Sequence, residues 1–237
     1  MRSKIDRTLR QVGAWMLVLA VLPISDLGAQ AMDHPMPPQG CRPVAERTGE
    51  VGCWILNEQP VGRFAQPPYW QVDRFPDLAT AQAARSEHGT VIESLGEVWL
   101  MTIAPKAWST PTGGTHRATI GPLPISAQHD YAAQYMEAVF TPGMITRTHV
   151  HSGPEAWYTV SGETCLETPQ GMVIDHPGDT GRIIPAGPPM MLMATGSETR
   201  RGLVLILHDS AAPATTVVQN WTPKGLCEAR LKPARSP

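Results

Sequence analysis

Three side chains within seven residues carry the chemistry this sequence offers. His149 and His151 stand two apart, and Glu155 follows after four more residues. In an extended chain alternate side chains share a face, so both imidazoles point the same way. Ser152-Gly153-Pro154 is turn chemistry that reverses the chain, and Glu155 opens a second run, rich in aromatic and β-branched residues, through Val160. A carboxylate is thereby returned beside two imidazoles. Two His and one carboxylate with open coordination positions suit Fe(II), and Mn, Zn or Ni also occupy such a set. A His-x-His pair alone is a weaker signal, because two hydrogen-bonded core histidines would show the same spacing and hold no ion.

Glycines bracket the stretch. Gly143, five residues, His149-x-His151, three residues, Glu155, six residues and Gly162 form an unbroken series. In this the chain resembles the first motif of the cupin family. The resemblance implies a jelly-roll barrel with a divalent metal held inside by His149, His151 and Glu155. The family's second motif is degenerate here. Pro185-Ala186-Gly187 is clear, but neither Gly178 nor Gly181 has the spacing of the leading glycine. The family's His position is Met190 and its Asn position Ala194. The usual fourth ligand is therefore missing. A three-ligand site keeps open positions for water, substrate or dioxygen. A thioether at Met190 would suit Cu(I), whereas a Met in a barrel more often fills core.

Around such a site Ile145, Trp157, Met190 and Leu192 are expected to form an apolar wall that excludes water. Glu155 is the candidate catalytic group, since a carboxylate released from a metal takes a proton from a substrate. Alternation also allows Glu137 and Tyr158 to face inward, and His116, His129 and His208 are candidates to replace the missing ligand. The resemblance implies a metal-dependent oxidoreductase, dioxygenase or isomerase acting on a small organic molecule. The alternative is a non-catalytic small-molecule-binding or sensor module.

The elements that must position these residues follow at short intervals. Strands are expected over 131–140, 145–151, 155–160, 164–167, 172–175, 182–184, 190–195 and 202–208, separated by Gly/Pro turns, as a barrel requires. The fold class is all-β: a double-stranded β-helix over 126–212. Residues 32–125 are expected to be a β-rich extension packing on the barrel. That extension carries one short helix, capped by Asp77 before the alanine-rich 78–85 run. Residues 213–237 are expected as a polar tail.

Residues 1–31 have the form of a Sec-type signal peptide. Arg2, Lys4, Arg7 and Arg10 precede an apolar run from Val12 to Ile24, and Ala29-Gln30-Ala31 is a small-x-small cleavage site. A periplasmic or secreted protein is the expectation, with no membrane attachment after cleavage. The 237-residue chain has a formal charge of −2; the leader carries four basic and two acidic groups, so −2 − 2 = −4 remains. With no basic tract, that charge argues against nucleic acid as a partner. Four cysteines in an exported chain imply disulfides, with three connectivities open. Proximity in sequence favours Cys41–Cys53, leaving Cys165–Cys227 to tie the tail to the barrel. A homodimer through barrel edges is an expectation from the resemblance alone.

Overall fold

The computed structural model describes residues 40–231. The expected signal segment, His34 in the leader and the last six residues, 232–237, lie outside the described residues. In chain order the strands are β1 (Arg42–Pro43), β2 (Gly52–Gly62), β3 (Tyr69–Phe75), β4 (Gly89–Ser94), β5 (Glu97–Ala104), β6 (Thr115–Ile120), β7 (Tyr131–Phe140), β8 (His149–His151), β9 (Glu155–Ser161), β10 (Glu163–Thr168), β11 (Gly171–Asp175), β12 (Arg182–Ile184), β13 (Met191–Thr195), β14 (Arg200–Asp209) and β15 (Thr215–Val217). Helix α1 (Leu78–Ala84) follows β3, and a short α2 (Glu228–Leu231) closes the tail.

Two sheets make the barrel. One runs β1-β2-β7-β14-β9-β12 and the other β11-β10-β13. Period-2 alternation decides what each strand gives to the interior. On β7, Met136, Ala138 and Phe140 join an inner cluster with Trp157 of β9, Val204 and Ile206 of β14, and Leu192 and Ala194 of β13. The intervening residues Tyr131, Ala133 and Tyr135 face the other way, into a second cluster with Trp70, Val72, Trp99 and Met101. Those last residues belong to a four-stranded sheet, β4-β5-β3-β6, lying on the barrel's outer face. All ten residues of β7 are buried because both faces of that strand are covered.

The described part of the expected extension, residues 40–125, divides between two roles. β1 and β2 extend the barrel's own sheet, with β2 paired along β7 from Gly52↔Val139 to Gly62↔Tyr131. The accessory sheet is β3 to β6, with α1 against it. The Asp77 carboxylate accepts from the Thr80 amide at 2.8 Å and caps that helix. Glu137 and Tyr158 both face the accessory side and not the barrel interior. Glu137 accepts from Ser94 and Arg47, each at 2.6 Å, and Tyr158 packs edge-on against Trp99.

The strand expected over 145–151 is shorter than its sequence suggests. Only His149–His151 is strand, and Ile145 and His149 make isolated bridges to Met193 and Met190. β8 takes its regular partner from the tail: β15 pairs with it antiparallel, Thr215↔His151 through Val217↔His149. The tail is therefore not merely polar. Both expected disulfides are formed, Cys41–Cys53 and Cys165–Cys227. Among the described residues no helix is long and apolar enough to cross a membrane.

Candidate functional site

The barrel interior holds a cavity of about 360 Å³. His149, His151, Glu155, Gln134 and Arg200 line it, among apolar walls from Ile55, Met136, Phe140, Leu192 and Val204. His151 and Glu155 meet because the turn between them is very tight. A Cβ on Gly153 would lie 1.9 Å from the Leu207 carbonyl oxygen, so only glycine lets this turn press against β14. The result is a His151 Nε2 to Glu155 Oε2 separation of 3.6 Å.

Backbone carbonyls fix the proton positions on the imidazoles. A carbonyl only accepts, so the ring nitrogen facing it must carry hydrogen. His149 donates from Nδ1 to the Arg147 carbonyl at 2.6 Å. His151 donates from Nδ1 to the Ala214 carbonyl at 2.9 Å, with Thr215 Oγ1 3.1 Å away. Each Nε2 is then left with a lone pair, the state a metal ligand needs. Burial lowers both histidines, that of His151 to about 4, so both are neutral at physiological pH. Burial pushes the Glu155 carboxyl up, opposed by His149 and Arg200.

A third imidazole, His208, lies near this group without lining the cavity. His208 is the last residue but one of β14, two residues beyond Ile206, which pairs with Glu155. It donates from Nδ1 to the Asp209 carbonyl at 2.9 Å, and its buried Nε2 has no hydrogen-bond partner, lying 3.5 Å from Glu58. It is near enough to His151 to lower that group further. In sequence it stood level with His116 and His129; in the fold it continues the Val204 and Ile206 face of β14 just beyond the end of the β9 ladder. His116 is instead bound to Asp73 at 2.8 Å in the accessory sheet, and His129 to Asp209 at 2.5 Å.

Of the expected wall residues, Leu192 lines the cavity. Trp157 and Met190 are fully buried in the barrel core and do not reach the cavity wall. Met190 is therefore gap-filling core. Ile145 is a correction: its bridge to Met193 turns it toward the cluster around the Cys165–Cys227 disulfide. Sequence reasoning missed Arg200 altogether. It is 0% exposed and reaches the cavity from the first residue of β14, where it resembles any strand-end arginine.

Among the described residues no three His, Cys, Asp or Glu side chains are gathered closely enough to hold a metal ion as they stand. Their chemistry nevertheless fits one. His151 Nε2 and Glu155 Oε2 are buried without hydrogen-bond partners. Their 3.6 Å separation is close to the roughly 3–3.5 Å between two ligands on one ion with bonds of about 2.1 Å.

No protein-family model and no curated protein matches the chain. Several solved structures are similar to part of it. They include the DMSP lyase DddQ from Ruegeria pomeroyi DSS-3, at 20% identity and TM-score 0.32, over 36% of this chain and 42% of that one. A cupin-like protein from Thermotoga maritima aligns at 18% identity and TM-score 0.36, over 41% of this chain and 72% of that one. A conserved protein with a double-stranded β-helix domain from Klebsiella pneumoniae aligns at 20% identity and TM-score 0.33, over 37% and 76%. The aligned part is less than half of the lyase's length, and what is shared is fold alone. The fold is that of an all-β double-stranded β-helix barrel, with Gly143, His149, His151, Glu155 and Gly162 on and beside β8 and β9.

Proposed function

We propose that this is an exported metal-binding cupin whose cavity takes a small organic molecule, most naturally as a metal-dependent oxidoreductase, dioxygenase or isomerase. The observation that carries the reading is that His149 and His151 are held by backbone carbonyls with both Nε2 lone pairs free, beside a buried carboxylate. His149, His151 and Glu155 would hold the ion. A divalent metal there supplies Lewis acidity toward an oxygen atom of the ligand, or redox chemistry if it is Fe or Mn. The chain's own residues do the rest. Ile55, Met136, Phe140, Leu192 and Val204 exclude water, and Glu155, a ligand only as the carboxylate, could take a proton from the bound molecule if released from the ion. Two disulfides support export into an oxidising compartment.

Metal analysis of the purified protein tests this. Wild type is expected to carry close to one divalent ion per chain after incubation with Fe(II), Mn(II), Zn(II) or Ni(II), and His149→Ala to lose it. Equal metal content in the two proteins would remove the site. Met190, core where the family places a ligand, favours a second reading as a binding module. A ligand recovered unchanged after long incubation with metal and air supports that reading, and turnover excludes it.

A further inference from the structure

We propose that the cavity's ligand is a small monocarboxylate with an apolar body, and that Arg200 is the group that receives its carboxylate. The inference deepens the reading of the cavity as a small-molecule site, and it stands whether or not a metal is bound.

Arg200 is the least ordinary residue of the barrel interior. A guanidinium is one of the costliest groups to bury, and buried cations are normally paired. Here Nε donates to Thr164 Oγ1 at 2.9 Å and Nη1 to the Ala138 carbonyl at 3.4 Å, while Cζ lies 5.7 Å from the Phe140 ring centroid. Nη2 is buried and donates to nothing. Glu155 and Asp175 attract the guanidinium electrostatically, yet neither forms an ion pair with it. The cation is therefore held in place by neutral acceptors with one nitrogen in reserve.

The backbone is shaped around that nitrogen. A Cβ on Gly202 would lie 2.8 Å from Nη2 and 3.0 Å from Cζ, so the absence of a side chain there seats the guanidinium on the inner face of β14. Only Val204 separates that level from Ile206, which pairs with Glu155. The histidines and Arg200 thus line one cavity at different depths, with Val204, Leu192, Met136 and Phe140 on its walls.

Charge narrows the ligand class. Two arginines line the cavity, Arg147 just before β8 and Arg200, and Arg200 is the one fully buried among the barrel strands with an unpartnered nitrogen. One guanidinium with one unused nitrogen balances one negative charge, which suits a carboxylate better than a phosphate dianion. At about 360 Å³ the cavity is near the small end of ligand sites, which run from about 300 to 1,000 Å³. An aromatic or short aliphatic acid satisfies the charge, the walls and the volume together.

The test compares an acid with its uncharged isostere. Benzoate and benzamide are titrated into the mature protein by calorimetry at neutral pH, once metal-loaded and once after chelation. Benzoate is expected to bind roughly tenfold more tightly than benzamide or better, in both forms, as a charge-assisted bond requires. Arg200→Gln should abolish the preference and leave metal content unchanged, and Arg200→Lys, which keeps the charge without the fork, should retain part of it. Circular dichroism confirms that each variant is folded; if Arg200→Gln is not, the Arg200→Lys result and the wild-type pair decide. Equal binding of benzoate and benzamide by wild type overturns the proposal. So does a preference that survives both substitutions, or one that disappears on chelation and is indifferent to Arg200. Absence of metal with an intact, Arg200-dependent preference would sink the metal reading alone.

Discussion

His149, His151 and His208 share one local device: Nδ1–H spent on a backbone carbonyl and Nε2 left over. Two of the three were legible from the His-x-His spacing. His208 was not, because no spacing rule links it to them; it arrives through strand register. The same burial that frees these nitrogens makes stability depend on pH. His151 titrates at about 4 in the folded protein, against about 6.5 in an unfolded chain, so the unfolded chain takes up the proton first. Stability from this group is present above pH 6.5 and is lost as pH falls toward 4, by roughly 3 kcal/mol at most. Glu155 acts with the opposite sign: its raised folded value contributes stability that fades as pH rises through it. The titratable groups packed around His151 are His149, Glu155 and His208. Chelated protein should therefore lose melting temperature between pH 6.5 and 4, and His151→Gln should flatten that decline. An unchanged slope in the variant would assign the acid sensitivity elsewhere.

At the level of elements, the strand that carries the two histidines is among the shortest in the barrel and depends on a partner from the far end of the chain. β8 has three residues, and its regular ladder is to β15. The join continues past the strand, where the Val218 amide donates to the Thr148 carbonyl at 3.0 Å. Ala214 and Thr215, at the start of the same strap, orient His151. The eight barrel strands were visible in sequence because Gly/Pro turns punctuate them, but this strap was hidden in a tail that is polar on average. Thr215-Thr216-Val217-Val218 is nonetheless a β-branched run, the signal that an edge strand leaves. Val218→Pro removes the amide without touching the cavity. Hydrogen exchange at residues 149–151 should rise, and metal affinity should fall by about tenfold, the scale of losing support behind a ligand. The global melting temperature should move by only a few degrees, because the large strand pairs are untouched. Unchanged exchange at 149–151 would show that β8 stands without its strap.

Over the whole molecule, the two disulfides close loops of very different size around the same barrel. Cys41–Cys53 spans 12 residues and edges the cavity, whereas Cys165–Cys227 spans 62 and brings the tail onto the three-stranded sheet. The pairing was open in sequence, since four cysteines allow three connectivities, and proximity alone favoured the one found. What proximity does not reveal is the second anchor beneath the longer bridge. Glu167 is fully buried and accepts from the amides of Lys224, Leu226 (2.9 Å) and Cys227 (3.4 Å). A charged acceptor receiving three amides holds the tail with the disulfide open, so covalent and polar ties reinforce one another. Loop-closure entropy alone gives about 3 kcal/mol for the short bridge and about 4 for the long one. Replacing both Cys165 and Cys227 by Ala should therefore destabilise the protein more than replacing Cys41 and Cys53. The excess should be small in wild type, where Glu167 still holds the tail. With Glu167→Gln added it should grow, by roughly 1–3 kcal/mol, the cost of weakening a buried charged acceptor. Urea unfolding of the four variants, analysed as a double-mutant cycle, measures that coupling. Strict additivity would mean that bridge and carboxylate hold the tail independently of one another.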